Sequence, residues 1–266
     1  MTVGKRRARF RELHAAEGIF VMPNAWDEGS ARLLAWSGFD AIATTSAGFA
    51  WTLGRNDQNV TLDELVTHVE RLSAATDLPL SVDSERLFAP DPAGVAETVR
   101  LLAAAGAAGC SIEDYDPATG RIDPVDVAAE RVAAAAAAAH AGERMVLTAR
   151  AENHLHGVDD LDDTIARLVA YETAGADAVY APGLTDPADI RAVVTAVGVP
   201  VNVLALPDTP AVAELGQLGV RRVSTGSLLA SAAYGALLAG ARELRTQGSS
   251  DYARAGLPRD VRTAAF

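Results

Sequence analysis

The stretch Leu80-Ser81-Val82-Asp83-Ser84-Glu85 decides the fold and the site that this sequence predicts. It begins as a short apolar strand after Leu78-Pro79 and ends in two carboxylates spaced two residues apart. Side chains alternate across a strand, so Asp83 and Glu85 are expected on one face at its carboxyl end. Two adjacent acids are costly to ionise together unless a cation or a proton lies between them. A hard divalent ion such as Mg²⁺ suits the pair, whereas the alternative is a strand that ends in an ordinary polar loop.

Strand-then-helix units recur along the whole chain. Apolar segments with the length of buried strands lie at 18–22, 41–45, 109–113, 145–150, 178–181, 199–203 and 221–224. Four glycines stand where a helix ends before a strand, as expected for the left-handed position that closes a helix: Gly38, Gly106, Gly175 and Gly219. With strand 80–85 the units number eight, and the strands are too continuously apolar to be half-exposed, which indicates a parallel sheet covered by helices.

Eight such units are the number that closes a (β/α)₈ barrel. We therefore predict an α/β protein, a TIM barrel spanning 1–266 as a single domain. An extra amino-terminal helix is expected at about residues 5–16. A doubly wound open sheet is the alternative, weakened by the lack of G-x-G-x-x-G after the first strand.

Composition narrows the function. A net charge of −12 argues against nucleic acid or an anionic membrane as partner. The first residues lack the apolar core of a signal peptide, and no apolar run is long enough to span a bilayer. A single cysteine, Cys110, rules out an internal disulfide, so a soluble cytoplasmic protein is expected. The only lysine, Lys5, lies in the first predicted helix, which argues against Schiff-base and pyridoxal phosphate chemistry.

Candidate functional residues stand at the carboxyl ends of the strands, where barrel enzymes place their chemistry. These residues are Asn24, Asp27, Thr45, Ser46, Asp83, Glu85, Glu113, Asp114, Arg150, Glu152, Tyr180, Asn202 and Ser224. They form an acid cluster with one arginine. The planar fork of Arg150 suits a substrate carboxylate or an enolate oxygen, although the arginine could instead merely neutralise the acids.

Other reactive side chains favour structural roles. Cys110 has the opposite strand parity to Ser111 and Glu113, which places it in the core between sheet and helices. His154 and His156 have an H-x-H spacing that could bind a transition metal, but a solvated loop is the favoured interpretation. Trp26 lies in a loop near the predicted mouth, where a pocket-lining role and packing under the loop are equally favoured.

Six segments at predicted strand ends resemble those of the isocitrate lyase/phosphoenolpyruvate mutase superfamily. They are PNAWD (23–27), TTSAGFAWTLGRND (44–57), SVDSE (81–85), SIED (111–114), TARAE (148–152) and VPVNV (199–203). Their order is far more specific than any one segment. The resemblance implies a barrel that binds Mg²⁺, with Mn²⁺ as an alternative, and a relation to 2-methylisocitrate lyases, oxaloacetate decarboxylases and phosphonomutases.

The resemblance also implies roles for individual residues. The expected metal-binding residues are Asp83, Glu85 and Glu113. Catalytic roles are expected for Arg150, Asp57 and Glu113. The expected substrate-binding residues are Arg150 and, through backbone amides, Thr45, Ser46 and Ala47. Asn202 is also expected to bind substrate because it lies at a strand end, and Trp26 because it lies in a loop at the predicted mouth.

Departures from the superfamily limit the activity. The loop after the fourth strand, residues 115–123, has neither the K-K-C-G-H run of the lyases nor the Lys and Asn of the mutases. The G-Y-G that commonly follows the acid pair is Arg86-Leu87-Phe88. We therefore expect a Mg²⁺-dependent lyase that cleaves a C–C bond of a small 2-oxo or 2-hydroxy di- or tricarboxylate through a 2-oxo acid enolate. Alternatives are C–P or C–O chemistry, and a non-catalytic binder of 2-oxo acids.

The last predicted helix bears on assembly. Residues 226–241, GSLLASAAYGALLAGA, are apolar or small on nearly every face. Such a helix needs burial on more than one side, which the outer ring of a barrel does not provide. We predict a homo-oligomer, a tetramer, in which this helix is exchanged between subunits, as the resemblance also implies.

Overall fold

Parallel strands and covering helices alternate along the chain in a computed structural model that describes residues 1–266. The strands are β1 Phe20–Met22, β2 Asn24–Ala25, β3 Ile42–Thr44, β4 Leu80–Val82, β5 Gly109–Glu113, β6 Tyr115–Asp116, β7 Arg121–Ile122, β8 Val146–Arg150, β9 Ala178–Tyr180, β10 Val201–Leu204 and β11 Arg222–Ser224. The helices are α1 Val3–Ala15, α2 Glu28–Trp36, α3 Ser46–Thr52, α4 Leu62–Ala75, α5 Pro92–Ala104, α6 Val125–Ala139, α7 Leu161–Thr173, α8 Pro187–Ala196, α9 Val212–Leu218, α10 Leu228–Gln247 and α11 Arg259–Ala265.

Nine parallel strands form a nearly closed barrel. Their order is β1-β11-β10-β9-β8-β5-β4-β3-β2. β1 and β2 are two halves of one strand, interrupted at Pro23, whose ring nitrogen cannot donate to a ladder. β1 pairs with β11 and β2 with β3, so the split strand closes the barrel from both sides. The predicted (β/α)₈ barrel is confirmed.

Local sequence signals account for the helix ends. Thr61 Oγ1 accepts from the Glu64 N–H (3.3 Å), and Glu64 Oε2 accepts from the Thr61 N–H (2.9 Å), the reciprocal pair predicted before α4. The four predicted helix-ending glycines all have positive φ, between 84° and 104°.

The amino-terminal helix α1 covers the end of the barrel opposite the strand carboxyl ends. Phe10 is fully buried in a small apolar cluster with Met22 and Val146. Arg7 Nε donates to the Ala107 carbonyl oxygen (2.9 Å), which ties the helix to the turn before β5. The predicted extra helix is thus present, and it forms the floor under the barrel interior.

Three segments predicted as loop or tail are ordered. Ser46–Thr52 forms α3 because the Thr45 side chain accepts from the Gly48 N–H and caps it. The loop after β5 contains the antiparallel hairpin β6–β7. The predicted polar tail contains a short 3₁₀ turn, Asp251–Ala255, and α11, which contacts α2.

Helix α10 is largely uncovered. Only Ala230 and Gly240 of its residues are buried, while Leu237 and Leu238 are 64% and 57% exposed. No helix of the structure is both long enough and apolar enough to cross a membrane.

Candidate active site

A cavity of about 180 Å³ opens at the carboxyl ends of the barrel strands. Most of its 22 lining residues are polar. Since one water occupies about 30 Å³, the space suits a small acid and not a nucleotide. Ten of the residues singled out in the sequence line it: Asn24, Thr45, Ser46, Ala47, Asp57, Asp83, Arg150, Tyr180, Asn202 and Ser224.

Arg150, the last residue of β8, is the centre of the charges. Its Nη1 contacts Asp83 Oδ1 and Glu113 Oε1, both at 2.8 Å. Its Nε and Nη2 donate to the two carboxylate oxygens of Glu152, at 2.7 and 3.2 Å. Burial alone would lower the pKa of Arg150. The three carboxylates outweigh this effect and raise the pKa above its ordinary value. The predicted arginine and acids therefore meet.

Asp83 is held from two sides. Its Oδ2 accepts from the Ser46 backbone N–H (2.9 Å) at the start of α3. Its own N–H donates to Thr44 Oγ1 (2.8 Å). As the second residue of α3, Ala47 has a backbone N–H without an intrahelical acceptor, and Ala47 lines the cavity. Of the backbone amides predicted for substrate binding, that of Ser46 is thus taken by Asp83, and that of Ala47 has no acceptor within the helix.

Glu85 and Glu113 lie beside the cavity and not in its lining. β4 ends at Val82, and Glu85 has a positive φ of 48°, so side-chain alternation stops before it. Glu85 instead lines a neighbouring pocket with Gln58 and Arg86. Gln58, which lines that neighbouring pocket, donates from Nε2 to Glu113 Oε2 (3.4 Å).

Carboxyl groups near Arg150 resist ionisation. Burial, and then Asp83 and Asp57, raise the pKa of Glu85 to about 8. Burial also raises the pKa of Glu113, against the opposing effect of Arg150. The pKa of Asp57 is raised by burial and by Asp83. More acid is collected here than one guanidinium balances.

The acid cluster fits a hard cation by its chemistry. Carboxylate oxygens are the ligands that Mg²⁺ and Mn²⁺ accept in proteins. A cation would favour the ionised form of these carboxyl groups, which burial and, to a lesser extent, mutual repulsion disfavour. No three acid, histidine or cysteine side chains are drawn together around a single point in this structure, since Arg150 contacts both Asp83 and Glu113.

The other singled-out side chains lie away from the cavity. Trp26 is next to Gly48 and outside the cavity lining. Cys110 is fully buried in the main core, as predicted, and burial raises its thiol pKa to about 12. His154 Nε2 lies 3.1 Å from Thr164 Oγ1, and His156 stacks on Tyr115 with ring centroids 3.6 Å apart.

Sequence reasoning missed Arg222 and the role of Asp114, and it placed Thr148 on the face of Arg150 without assigning it to the site. Asp114 Oδ2 accepts from the Tyr171 hydroxyl (2.6 Å), and its Oδ1 accepts from the Glu152 N–H (2.9 Å). Asp114 therefore fixes the backbone of Glu152, whose carboxylate accepts two hydrogen bonds from Arg150. Strand parity could have assigned Arg222 and Thr148 to the site, because each lies two residues before a predicted site residue, Ser224 or Arg150.

The parallel barrel with a small polar cavity of acids and arginine at its strand ends has the architecture of a TIM-barrel protein with its site at the carboxyl ends of the strands. The family model described as phosphoenolpyruvate phosphomutase matches residues 10–245. The chain belongs to this family. Its members are lyases and mutases, and the superfamily is generally metal-dependent.

Individual relatives agree with the family. An oxaloacetate decarboxylase of Paraburkholderia xenovorans (strain LB400) is 33% identical over 232 residues, 84% of this chain and 75% of that protein. A candidate lyase/mutase from Burkholderia cenocepacia J2315 superimposes with a TM-score of 0.94 and 50% identity, covering 98% of this chain and 95% of its own. A 2,3-dimethylmalate lyase, a PEP mutase/isocitrate lyase superfamily member, gives a TM-score of 0.85 at 25% identity, over 99% of this chain and 94% of its own.

Proposed function

We propose that this protein is a Mg²⁺-dependent lyase. It would cleave a C–C bond of a small 2-oxo or 2-hydroxy di- or tricarboxylate, by retro-aldol cleavage or decarboxylation, through the enolate of a 2-oxo acid. The observation that carries the proposal is Arg150, held by Asp83, Glu113 and Glu152 at the wall of a cavity of about 180 Å³. Positive charge fixed at such a wall favours a transition state in which an oxygen gains negative charge.

Each residue would have a distinct part. The backbone around Ser46 and Ala47 would orient the 2-oxo acid end of the substrate. Arg150 would stabilise the developing negative charge. Asp57 lines the cavity and has a raised pKa, so it is suited to exchange a proton with the substrate.

A divalent cation would be held by Asp83, Glu85 and Glu113. It would supply further electrostatic stabilisation of the enolate oxygen, worth several kcal/mol in comparable sites. Mg²⁺ is the proposed ion and Mn²⁺ the alternative, because the donors are carboxylates and no histidine joins them.

The test is turnover of a panel of 2-oxo and 2-hydroxy di- and tricarboxylates with Mg²⁺, with products identified by NMR. We expect C–C cleavage products, loss of activity in EDTA, and recovery on adding Mg²⁺ back. Asp83→Asn should lose at least about tenfold in kcat/KM. Glu97→Gln, on the exposed face of α5, is the matched control and should keep full activity. Full activity in EDTA would contradict the metal assignment.

Two other functions remain distinguishable. C–P or C–O cleavage uses the same enolate. With a 2-oxo phosphonate and an enol phosphate of a 2-oxo acid added to the panel, it would appear as inorganic phosphate or as a rearranged phosphorus compound in phosphorus NMR spectra. A non-catalytic binder of 2-oxo acids would bind them with no turnover of any panel member. The family's lyases and mutases favour an enzyme.

We also propose that the protein acts in the cytoplasm as a homo-oligomer, a tetramer, assembled through an exchanged α10. The exposed apolar side chains of that helix, Leu237 and Leu238 among them, support this. The two arginines that line the cavity, Arg150 and Arg222, support a small carboxylate as partner, and the net charge of −12 argues against nucleic acid or an anionic membrane.

A further inference from the structure

A second arginine lines the cavity, and it differs from Arg150 in its surroundings. Arg222 on β11 is almost fully buried, with 3% of its surface exposed. Its Nε donates to Asn202 Oδ1 (2.8 Å), its Nη2 to Thr148 Oγ1 (3.0 Å) and its Nη1 to His14 Nε2 (3.0 Å). Three of its five N–H hydrogens are thereby used, so two remain for another acceptor.

All three acceptors are neutral groups. His14 Nδ1 lies 2.8 Å from the Phe10 carbonyl oxygen, which fixes the tautomer that donates there and accepts from Arg222. Burial and the nearby Arg222 lower the pKa of His14 to about 3, so the imidazole is uncharged at neutral pH. Arg222 therefore has no carboxylate partner in the protein, whereas Arg150 has three.

A buried charge without a counter-ion is expensive in a protein interior. Packing of the barrel interior does not require a charged residue at position 222, because the surrounding threonine, asparagine and histidine are neutral and could enclose a neutral side chain. The cost is recovered if an anion enters the cavity. The cavity wall at Arg222 is thus suited to a negative group that the protein itself does not supply.

Strand register connects this arginine to the acid cluster. Glu113 pairs with Arg150, Arg150 with Tyr180, Tyr180 with Asn202, and Asn202 with Arg222. Register partners in a parallel sheet point to the same side, so this row crosses the interior wall from one arginine to the other. Arg150 lies over the Tyr180 ring, with Cζ 5.2 Å from its centroid. Arg222 in turn reaches across the barrel interior from β11 to Thr148, which lies on β8 two residues before Arg150.

We propose that Arg222 is a specificity-determining residue that binds the second carboxylate of the substrate. This inference rests on the proposed function and extends it. The 2-oxo acid end would lie at Asp83, Ser46 and Arg150, and the distal carboxylate at Arg222 and Asn202. Arg150 is assigned to the 2-oxo acid end because its guanidinium contacts Asp83, whose Oδ2 accepts from the Ser46 N–H.

The test compares two ligands that differ in the distal carboxylate. Pyruvate has a 2-oxo acid end alone, and 3,3-difluorooxaloacetate adds a second carboxylate while resisting decarboxylation. Affinities are measured by calorimetry on the full chain with Mg²⁺. Because a charge-assisted hydrogen bond contributes about 1.5–3 kcal/mol, we expect the wild type to bind the diacid at least about tenfold more tightly than pyruvate.

Variants locate the effect. Arg222→Gln should weaken diacid binding at least about tenfold and change pyruvate binding by less than about threefold. Arg221→Gln is the matched control, because Arg221 is adjacent in sequence but lies outside the cavity lining, and it should leave both affinities unchanged. If Arg222→Gln fails to fold, the same two affinities are measured for Arg222→Lys, and the preference of the wild type for the diacid over pyruvate is tested by itself.

Each outcome is decisive. Equal weakening of both ligands in Arg222→Gln would show a structural role and overturn the proposal, as would a wild type that binds pyruvate but does not prefer the diacid. In that last case the proposed lyase site would stand. If neither ligand binds in the presence of Mg²⁺, the proposed function fails, and the assignment of Arg222 fails with it.

Discussion

Replacing Arg150 by lysine separates its two roles. The guanidinium makes four contacts with three carboxylates, at 2.7 to 3.2 Å. Lysine keeps the positive charge, but its single ammonium cannot reach both Glu152 oxygens and Asp83 at once. Because the charge remains, we expect Mg²⁺ affinity to change by no more than a few-fold.

The loss in rate follows from one missing contact. A hydrogen bond to a charged group contributes about 1.5–3 kcal/mol. If Arg150 makes such a contact with the enolate in the transition state, Arg150→Lys should lose about ten- to a hundredfold in kcat/KM. Glu152 is buried, so its unmade contact should also lower stability, by about 1–3 kcal/mol.

Steady-state kinetics and denaturant unfolding are measured together on Arg150→Lys and on Arg131→Lys. Arg131 is also buried and donates to the carbonyl oxygens of Arg86 and Ala89, both at 2.8 Å, but it lies outside the cavity lining. The control should lose stability and keep its kcat/KM. An unchanged kcat/KM in Arg150→Lys would leave Arg150 as a counter-ion and refute the enolate clamp.

Three further predictions concern other parts of the molecule. The pKa of His14 is about 3 in the folded protein and about 6.5 in the unfolded chain. Between these pH values the unfolded chain binds one proton more than the folded protein. The free energy of unfolding should therefore fall by up to about 1.4 kcal/mol per pH unit from pH 6.5 towards pH 3. Urea unfolding at several pH values should show this slope in the wild type and a smaller one in His14→Gln; equal slopes would contradict it. Leu237→Asp on α10 should dissociate the oligomer in sedimentation velocity, whereas Val169→Asp on α7 should not; a wild type that sediments as a monomer at micromolar concentration would refute assembly through α10. Cys110 should react with thiol reagents only on the time scale of unfolding, and rapid stoichiometric labelling of the native protein would count against its place in the core.

Regular periodicity explains what the sequence could predict. The bounds of β5 (Gly109–Glu113) agree with the predicted segment 109–113, because a continuous apolar run of that length is stable as a strand buried on both faces. Position along the strands likewise predicts Asp83 and Arg150 at the cavity and Cys110 in the core, where the structure places them.

Features without periodicity could not be predicted in the same way. α3 has seven residues including Gly48, too few for a helical pattern, and depends on a cap from Thr45. Glu85 was assigned by extending alternation past the last strand residue, where the backbone instead turns to positive φ. Such φ values also occur at the bulky residues Leu87 and Phe88, which only tertiary packing can impose.

Closure of the barrel bears on how the chain folds during synthesis. β1 pairs with β11, and His14 accepts a hydrogen bond from Arg222 across 208 positions of sequence. At about 5–20 residues per second, a ribosome needs roughly 10–40 s to make the intervening segment. Throughout that time the nascent chain has an open sheet edge at β1 and an unsealed floor. Folding of the cavity is therefore expected only after nearly the whole chain has emerged.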